Sequence, residues 1–291
     1  MELKAYAKIN WDLHILGKRP DGFHELDSVF VNVSLHDTLQ LEPASEICFE
    51  CSDPSLPTDD SNLVVKAAKL LAKAAAIDKG AFIRLSKNIP AGGGMGGGSS
   101  DAASTLLGLN KLWGLDWPIE RLEPLAAELG SDVTFFLHGG WRHCCGRGEI
   151  VKAIPDAQTL PSVSLLLVLP SLHVSTPAVY KQLNAPVWDG KSGKRSLTEF
   201  SHQLKLFLDS KKREHLGLRN DLTLAAKRVE PRLEHVQKVL EAAYPGRWLM
   251  SGSGAVHFII TSADDDGSSL RKMFTQQTPR VRVITATTVA P

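Results

Sequence analysis

From Pro90 the chain reads Pro90-Ala91-Gly92-Gly93-Gly94-Met95-Gly96-Gly97-Gly98-Ser99-Ser100-Asp101, and six of the seven residues from Gly92 to Gly98 are glycine. Few arrangements accommodate such a run. Glycine lets the backbone take positive φ and approach another group with no Cβ in the way. Successive N–H groups can then converge on an anion. The alternating Ala81, Ile83 and Leu85 before the run predict a strand ending at Pro90. Ala103, Leu106, Leu107 and Asn110 after it predict one side of a helix from about Ser100 to Trp113. A helix start adds free donors and a positive dipole end, which suits a phosphate chain. A flexible linker is the alternative reading, and the flanking strand and helix argue against it. Ser99 and Ser100 read as helix caps, or as hydroxyls that meet phosphate or magnesium. No Gly-Lys-Ser/Thr follows, so the run is not a P-loop, and the dinucleotide GxGxxG context fits poorly.

The rest of the chain supplies elements to hold such a loop. It has 291 residues, 43% hydrophobic and 22% charged, as in an ordinary globular protein of about two domains. Leu3–Ile9, Ile15–Gly17, Val29–Val33, Thr38–Leu41 and Ile47–Phe49 read as strands, antiparallel in the main. Asn62 precedes an apolar helix face of Leu63, Val64, Ala67, Ala68, Leu70 and Leu71. Pro118 and Gly130 bracket another helix. Pro155 and Pro161 bracket a linker. Beyond it come a buried strand at Val163–Leu169, a polar loop at Trp188–Ser196 and helical stretches at Leu204–Leu208 and Leu222–Ala243. A strand–turn–strand at Trp248–Ile260, a helix at Ser268–Thr275 and a strand at Val281–Thr287 close the chain. The reading is α+β in two halves, residues 1–155 and 156–291.

Charge and cysteines narrow the function. Lys and Arg total 33 against 32 Asp and Glu, so no basic excess points to nucleic acid. No secretory segment and no apolar stretch near the ~20 residues of a membrane span is present, so a soluble cytoplasmic protein is expected. Cys48 and Cys51 have CxxC spacing without a second pair, and Cys144 and Cys145 are neighbours. Incidental reduced thiols are the favoured reading. His138 and His143 read as surface or structural histidines, because no carboxylate stands at suitable spacing for a metal.

Three further places carry candidate chemistry, each with a plain alternative. Lys8 and Asn10 share one face of the first strand, with Ile9 turned into the core. Lys8 is either a functional ammonium or a strand-end lysine reaching solvent. Asp132, in Gly130-Ser131-Asp132-Val133, is either the N-cap of the next element or a carboxylate set beside a substrate hydroxyl. Gly252-Ser253-Gly254 is either a hairpin turn or a second small-residue loop closing on the phosphate site.

Together these pieces resemble the superfamily of galactokinase, homoserine kinase, mevalonate kinase and phosphomevalonate kinase (GHMP), whose hallmark is Pro-x-Gly-x-Gly-hydrophobic-Gly-Ser-Ser-x-Ala. The doubled glycines around Met95 look like one family within it, the 4-diphosphocytidyl-2-C-methyl-D-erythritol kinases. So do Ala7-Lys8-Ile9-Asn10, Arg19-Pro20-Asp21-Gly22-Phe23-His24-Glu25-Leu26, Gly146-Arg147-Gly148-Glu149, Ser175-Thr176-Pro177-Ala178-Val179-Tyr180 and Asn220-Asp221-Leu222. The resemblance runs from about residue 5 to residue 260.

It implies an N-terminal half like ribosomal protein S5 domain 2 and a ferredoxin-like C-terminal half, with ligands in the cleft between them. It implies ATP with Mg2+ as phosphoryl donor, the magnesium carried mainly by ATP and by no assigned protein ligand. The acceptor would be the 2-hydroxyl of the diphosphocytidyl-methylerythritol. Asp132 would take the hydroxyl proton, and Lys8 would orient it and hold it ionised. Asn62 and Lys87 match positions near the adenosine. Pro90, Ala91, Gly92, Gly93, Gly94, Met95, Gly96, Gly97, Gly98, Ser99 and Ser100 form the ATP loop. Asn10 and Thr176 would hold the acceptor, and His24 would read the cytosine edge. Phe23 and Tyr180 would stack on the ring, and Gly252, Ser253 and Gly254 would close on the substrate phosphates. A monomer or weak homodimer acting on a small molecule, with no nucleic-acid or membrane partner, is expected. The alternatives are another small-molecule kinase of the superfamily, or a nucleotide-binding regulatory protein without turnover. Tyr6, Trp11, Phe23, Thr134 and the run His143-Cys144-Cys145 depart from the family pattern.

Overall fold

The computed structural model describes residues 1–191, 197, 219–275 and 279–290. Contact density divides the chain into two compact units, each assembled from separated stretches. Met1–Ala7, Leu35–Ala91 and Gly96–Gly139 make the first; Lys8–Ser34, Gly92–Met95 and the described residues from Gly140 onward make the second. The sequence suggests a single cut after residue 155. The observed units are discontinuous because two long strands and the glycine run each contribute to both.

Those strands are β1 (Glu2–Lys18) and β2 (His24–Ala44), which pair with each other. Each is one strand where alternation suggests two short ones. The interrupting polar residues are partnered rather than exposed: Asp12 accepts the Val29 N–H at 3.0 Å, and Asp37 accepts the Ile89 N–H at 2.9 Å. A buried polar group that is hydrogen-bonded does not end a strand.

In the first unit, Thr38–Ala44 of β2 runs antiparallel to β4 (Gly80–Ser86), and β3 (Ile47–Cys51) lies parallel on the far side of β4. That parallel pairing departs from the antiparallel expectation. It is permitted because α1 (Leu63–Ala75) supplies the crossover that parallel strands need. The Asn62 side chain accepts the Val64 N–H at 2.9 Å, which starts α1, and Ala76 ends it in the left-handed region. Helices α2 (Gly97–Leu112), α3 (Ile119–Leu129, between Pro118 and Gly130) and α4 (Val133–His138) complete the unit around Leu106, Leu109, Leu122 and Phe135. Burying each such side chain contributes roughly 1.5–3 kcal/mol.

In the second unit, Leu26–Val31 of β2 pairs antiparallel with β5 (Trp141–Gly146), and β5 with β6 (Ile150–Ala153). The run Trp141–Cys145 has no alternating pattern, so sequence alone does not mark β5. A separate antiparallel sheet has the order β10-β7-β9-β8: β7 is Ser164–Pro170, β8 Trp248–Met250, β9 His257–Ile260 and β10 Val281–Thr287. The helices here are α5 (Thr176–Lys181, capped by Ser175), α6 (Thr223–Val229), α7 (Arg232–Ala243) and α8 (Ser268–Phe274). The stretch expected as one helix from Leu222 to Ala243 breaks at Glu230-Pro231, because proline cannot continue a helix but can begin one. Leu166, Val168 and Ile259 pack with Val236, Leu240, Leu270 and Phe274 of α7 and α8. The helix expected at Leu204–Leu208 and residues 192–196 of the expected polar loop lie outside the described residues.

Candidate active site

Lys8 is 4% exposed, so the strand-end reading in which it reaches solvent does not hold. An ammonium out of water requires partners. Its Nζ donates to Asn10 Oδ1 at 2.6 Å and lies 4.1 Å from the centre of the Phe30 ring, while its backbone N–H donates to the Met95 carbonyl at 3.0 Å. Lys8 and Asn10 therefore do share a face of β1, and Ile9, fully buried, takes the other. The Asn10 amide nitrogen donates to Ser28 Oγ at 3.1 Å, which fixes the orientation of the amide.

The glycine run and the Ser251–Gly254 turn are locked together within the second unit. Ser251 Oγ donates to the Gly94 carbonyl at 3.1 Å and accepts the Asn10 N–H at 3.2 Å. The Val256 N–H donates to the Gly93 carbonyl. Asn220 holds the turn from behind, donating to the carbonyls of Met250 and Gly252 at 2.7 Å each. Gly94 has φ 75°, and a Cβ there would stand 2.5 Å from the Ser251 carbonyl oxygen. The Gly252-Ser253-Gly254 segment is thus both the turn between β8 and β9 and a wall of the glycine loop. Ser253 Oγ is 2.6 Å from Thr176 Oγ1, at the start of α5.

Beyond Thr176 on the same helix, Tyr180 faces His24, with ring centres 5.3 Å apart and planes tilted by 40°. Burial first, and the Lys18 ammonium second, lower the His24 pKa below its ordinary value. The imidazole is then neutral at neutral pH, with one donor and one acceptor nitrogen. Phe23 is 51% exposed, and the Arg147 guanidinium lies 4.8 Å from its ring centre. Arg19 braces this segment through Glu25 at 2.8 Å and Asp21 at 3.1 Å.

In the first unit, the exposed Ala91 follows Pro90 after β4, and α2 begins at Gly97 behind Gly96, whose φ is 69°. The serines therefore lie within the first turn and do not cap it. The Ser100 hydroxyl instead donates to the Tyr6 carbonyl at 2.7 Å. Gly96 makes no side-chain cap bond, so the helix start keeps its outward-facing N–H groups.

Lys87 is sunk beneath this turn. Its ammonium bonds Asp37 and, at 2.8 Å, Asp101. Burial would lower the Lys87 pKa, but Asp101 and Asp37 outweigh it and hold it above the ordinary lysine value. Burial pushes Asp101 up to about 7 against the pull of Lys87, and Asp37 adds to the rise. Asn62, at the entry to α1, also donates to the Pro57 carbonyl at 2.8 Å. Asp132 occupies the N-cap position of α4, as one reading expects, but its side chain makes no capping hydrogen bond to that helix.

The model for the GHMP kinases N terminal domain matches residues 62–140. The 4-diphosphocytidyl-2-C-methyl-D-erythritol kinase of Prochlorococcus marinus (strain AS9601) is 39% identical over 272 residues, 89% of this chain and 85% of its own. That of Caldanaerobacter subterraneus subsp. tengcongensis is 38% identical over 87% of this chain and 85% of its own. The chain belongs to the 4-diphosphocytidyl-2-C-methyl-D-erythritol kinase family. A crystal structure of 4-(cytidine 5'-diphospho)-2C-methyl-D-erythritol kinase superposes with a TM-score of 0.78 at 33% identity, covering 98% of this chain and 99% of that one. A mevalonate kinase structure shares the fold at 13% identity, with a TM-score of 0.72 and full coverage of both chains. The α+β GHMP kinase architecture is thereby established.

Within this family frame, several partners escape a reading of sequence alone. Ser28 and Asp37 carry no signal there, and Asn220 and Ser251, which stand in quoted motifs, do not show there that they hold the Met250, Gly252 and Gly94 carbonyls, because each meets its group from elsewhere along the chain. The expectation that no carboxylate stands near these histidines is corrected for both: His138 meets Glu123 at 2.7 Å, and buried His143 lies 3.2 Å from Asp27 on the neighbouring strand. The two cysteines of the CxxC are free. In β3 positions i and i+3 face opposite sides, so they are no metal pair.

Proposed function

We propose that this chain transfers the γ-phosphoryl group of ATP to the 2-hydroxyl of 4-diphosphocytidyl-2-C-methyl-D-erythritol. The products are ADP and the 2-phosphate, in the methylerythritol phosphate route to isoprenoid and terpenoid precursors. The observation that carries this reading is the 39% identity to a kinase of that name over 89% of the chain.

The local chemistry supports roles for the residues. Phosphoryl transfer needs chiefly positioning and charge neutralisation. The glycine loop, with positive φ at Gly92, Gly94 and Gly96, is shaped to bring backbone N–H groups toward phosphate oxygens, and the start of α2 adds its dipole. Magnesium carried by ATP neutralises phosphate charge, and no protein ligand for it is assigned. Asp132 accepts or orients the acceptor hydroxyl proton, with Lys8 as the accompanying cation, held in place by Asn10 and Phe30. The neutral His24 can both donate to and accept from a cytosine edge, and Tyr180 and Phe23 present ring faces for stacking. The hydroxyls of Thr176 and Ser253 and the turn N–H groups suit the diphosphate. No helix among the described residues is long and apolar enough to cross a membrane; a cytoplasmic site of action belongs to the same proposal.

The test is coupled ADP release with ATP and Mg2+, comparing the cytidylated substrate, methylerythritol phosphate and mevalonate. Turnover with the cytidylated substrate alone is expected. Equal turnover with mevalonate would overturn the substrate assignment, and ATP binding without any turnover would overturn the kinase reading.

A further inference from the structure

Residues directly opposite in an antiparallel ladder share a face of the sheet, as do residues two apart on one strand. Asp27 of β2 is opposite Cys145 of β5, and His143 stands two residues before Cys145. These three side chains must therefore project together, and all three are buried, at 1%, 4% and 7% exposure. Nε2 of His143 is 3.2 Å from Asp27 Oδ1 and 3.5 Å from Cys145 Sγ. One ligand atom from each residue falls within 4.8 Å of the other two.

We propose that Asp27, His143 and Cys145 form a site for one divalent transition cation of the Zn2+ class. The donor set is carboxylate oxygen, imidazole nitrogen and thiolate sulfur, which suits a cation of intermediate softness. Zinc bond lengths at tetrahedral angles place N and S roughly 3.6 Å apart and N and O roughly 3.3 Å apart. The 3.2 Å between Nε2 and Asp27 Oδ1 already matches, while Sγ, 3.5 Å from Nε2 and 3.6 Å from Nδ1, has to turn about the Cys145 Cα–Cβ bond toward the Nε2 lone pair. On binding, the metal–sulfur and metal–nitrogen bonds replace the thiol S–H and any proton on Nε2. Those protons go to solvent, and nothing is oxidised or reduced. The carboxylate and thiolate then cancel the two positive charges, as a buried site requires. A fourth coordination position is left for water. The cation would clip β2 to β5 directly after the Arg19–Leu26 segment, joining residues far apart in the chain, and ligands that fold together around a metal gain stability from it. The proposal does not rest on the kinase reading.

The experiment uses the full chain carrying Cys48→Ser and Cys51→Ser, which removes the other accessible thiols. Co2+ is titrated in as the probe, with thiolate-to-cobalt charge transfer and the visible bands of tetrahedral cobalt as readouts. One equivalent is expected to bind, Zn2+ to bleach the bands, and Zn2+ to raise Tm. Cys145→Ser should abolish the charge-transfer band, and His143→Ala should weaken binding at least about tenfold. If Cys145→Ser does not fold, Asp27→Asn serves instead, keeping the thiolate band while weakening affinity. No band at stoichiometric Co2+ in a chain folded by circular dichroism would overturn the site, as would a band that survives in folded Cys145→Ser or binding unaltered in folded Asp27→Asn.

Discussion

Lys87 shows how a single side chain holds a neighbourhood together. It is the cation between two buried carboxylates, Asp37 and Asp101, and the Asp101 Oδ1 atom has no hydrogen-bond partner among the described residues. Removing the ammonium leaves two acids facing each other out of water, a change that costs about 3–5 kcal/mol when one partner of a buried ion pair is lost. Lys87→Met is therefore expected to lower the urea midpoint by that equivalent, and a loss below about 1 kcal/mol would show that the network contributes little. Asp132 is tested at turnover instead. Its side chain makes no capping bond to α4, and Asp132→Asn, which keeps the shape of the side chain, is expected to leave ATP affinity nearly unchanged. Its kcat should fall about 10²–10⁴-fold, the range for a group that handles a proton in the transition state. Near-normal kcat in that variant would remove Asp132 from the proposed mechanism.

At the scale of elements, the first part of the glycine run, Gly92–Met95, is a packed part of the second unit as well as a loop. Gly94 is at positive φ and presses on the Ser251 carbonyl. Gly94→Ala incurs both the left-handed backbone cost, about 1–2 kcal/mol, and a clash with backbone that cannot step aside. Gly114 also has positive φ, 68°, but nothing within 4 Å of a Cβ. Gly114→Ala should therefore lose only the first of these contributions. Thermal unfolding of the two variants separates conformational freedom from close approach. Equal losses would mean that the contact with Ser251 is not tight.

At the scale of the whole molecule, one buried histidine ties stability to pH. His257 of β9 is fully buried beside the Gln237 amide, 3.1 Å away, and burial pulls its pKa down to about 4. In the unfolded chain it titrates near 6.5. Between those values the unfolded chain binds a proton that the folded chain does not, so stability rises with pH across that window. Its contribution is complete above about pH 6.5 and is lost progressively as pH falls toward 4, by about 3 kcal/mol in all. Urea unfolding at pH 7 and pH 5 should show a smaller drop in His257→Gln than in the parent chain. Identical drops would mean that His257 is not the titrating group.

What the sequence determined on its own was local and periodic. Alternation and three-four spacing placed most strands and helices, Asn62 marked the start of α1, and Pro118 and Gly130 bounded α3. The glycine run announced a tight anion-binding turn, and the ordered motifs around it carried the family resemblance. These are legible because propensity, capping and backbone freedom act over a few residues. Tertiary structure alone decided the partners. Asn10 meets Ser251 from 241 residues away, Lys87 meets Asp37 across 50, and Asp27 stands opposite Cys145 only because of the register between β2 and β5. Register and packing are set by the balance of burial over the whole fold, and a one-residue slip would turn Asp27 to the other face. No local pattern encodes that balance, so the buried lysines, the locked turn and the Asp27–His143–Cys145 cluster emerge only when the strands are paired.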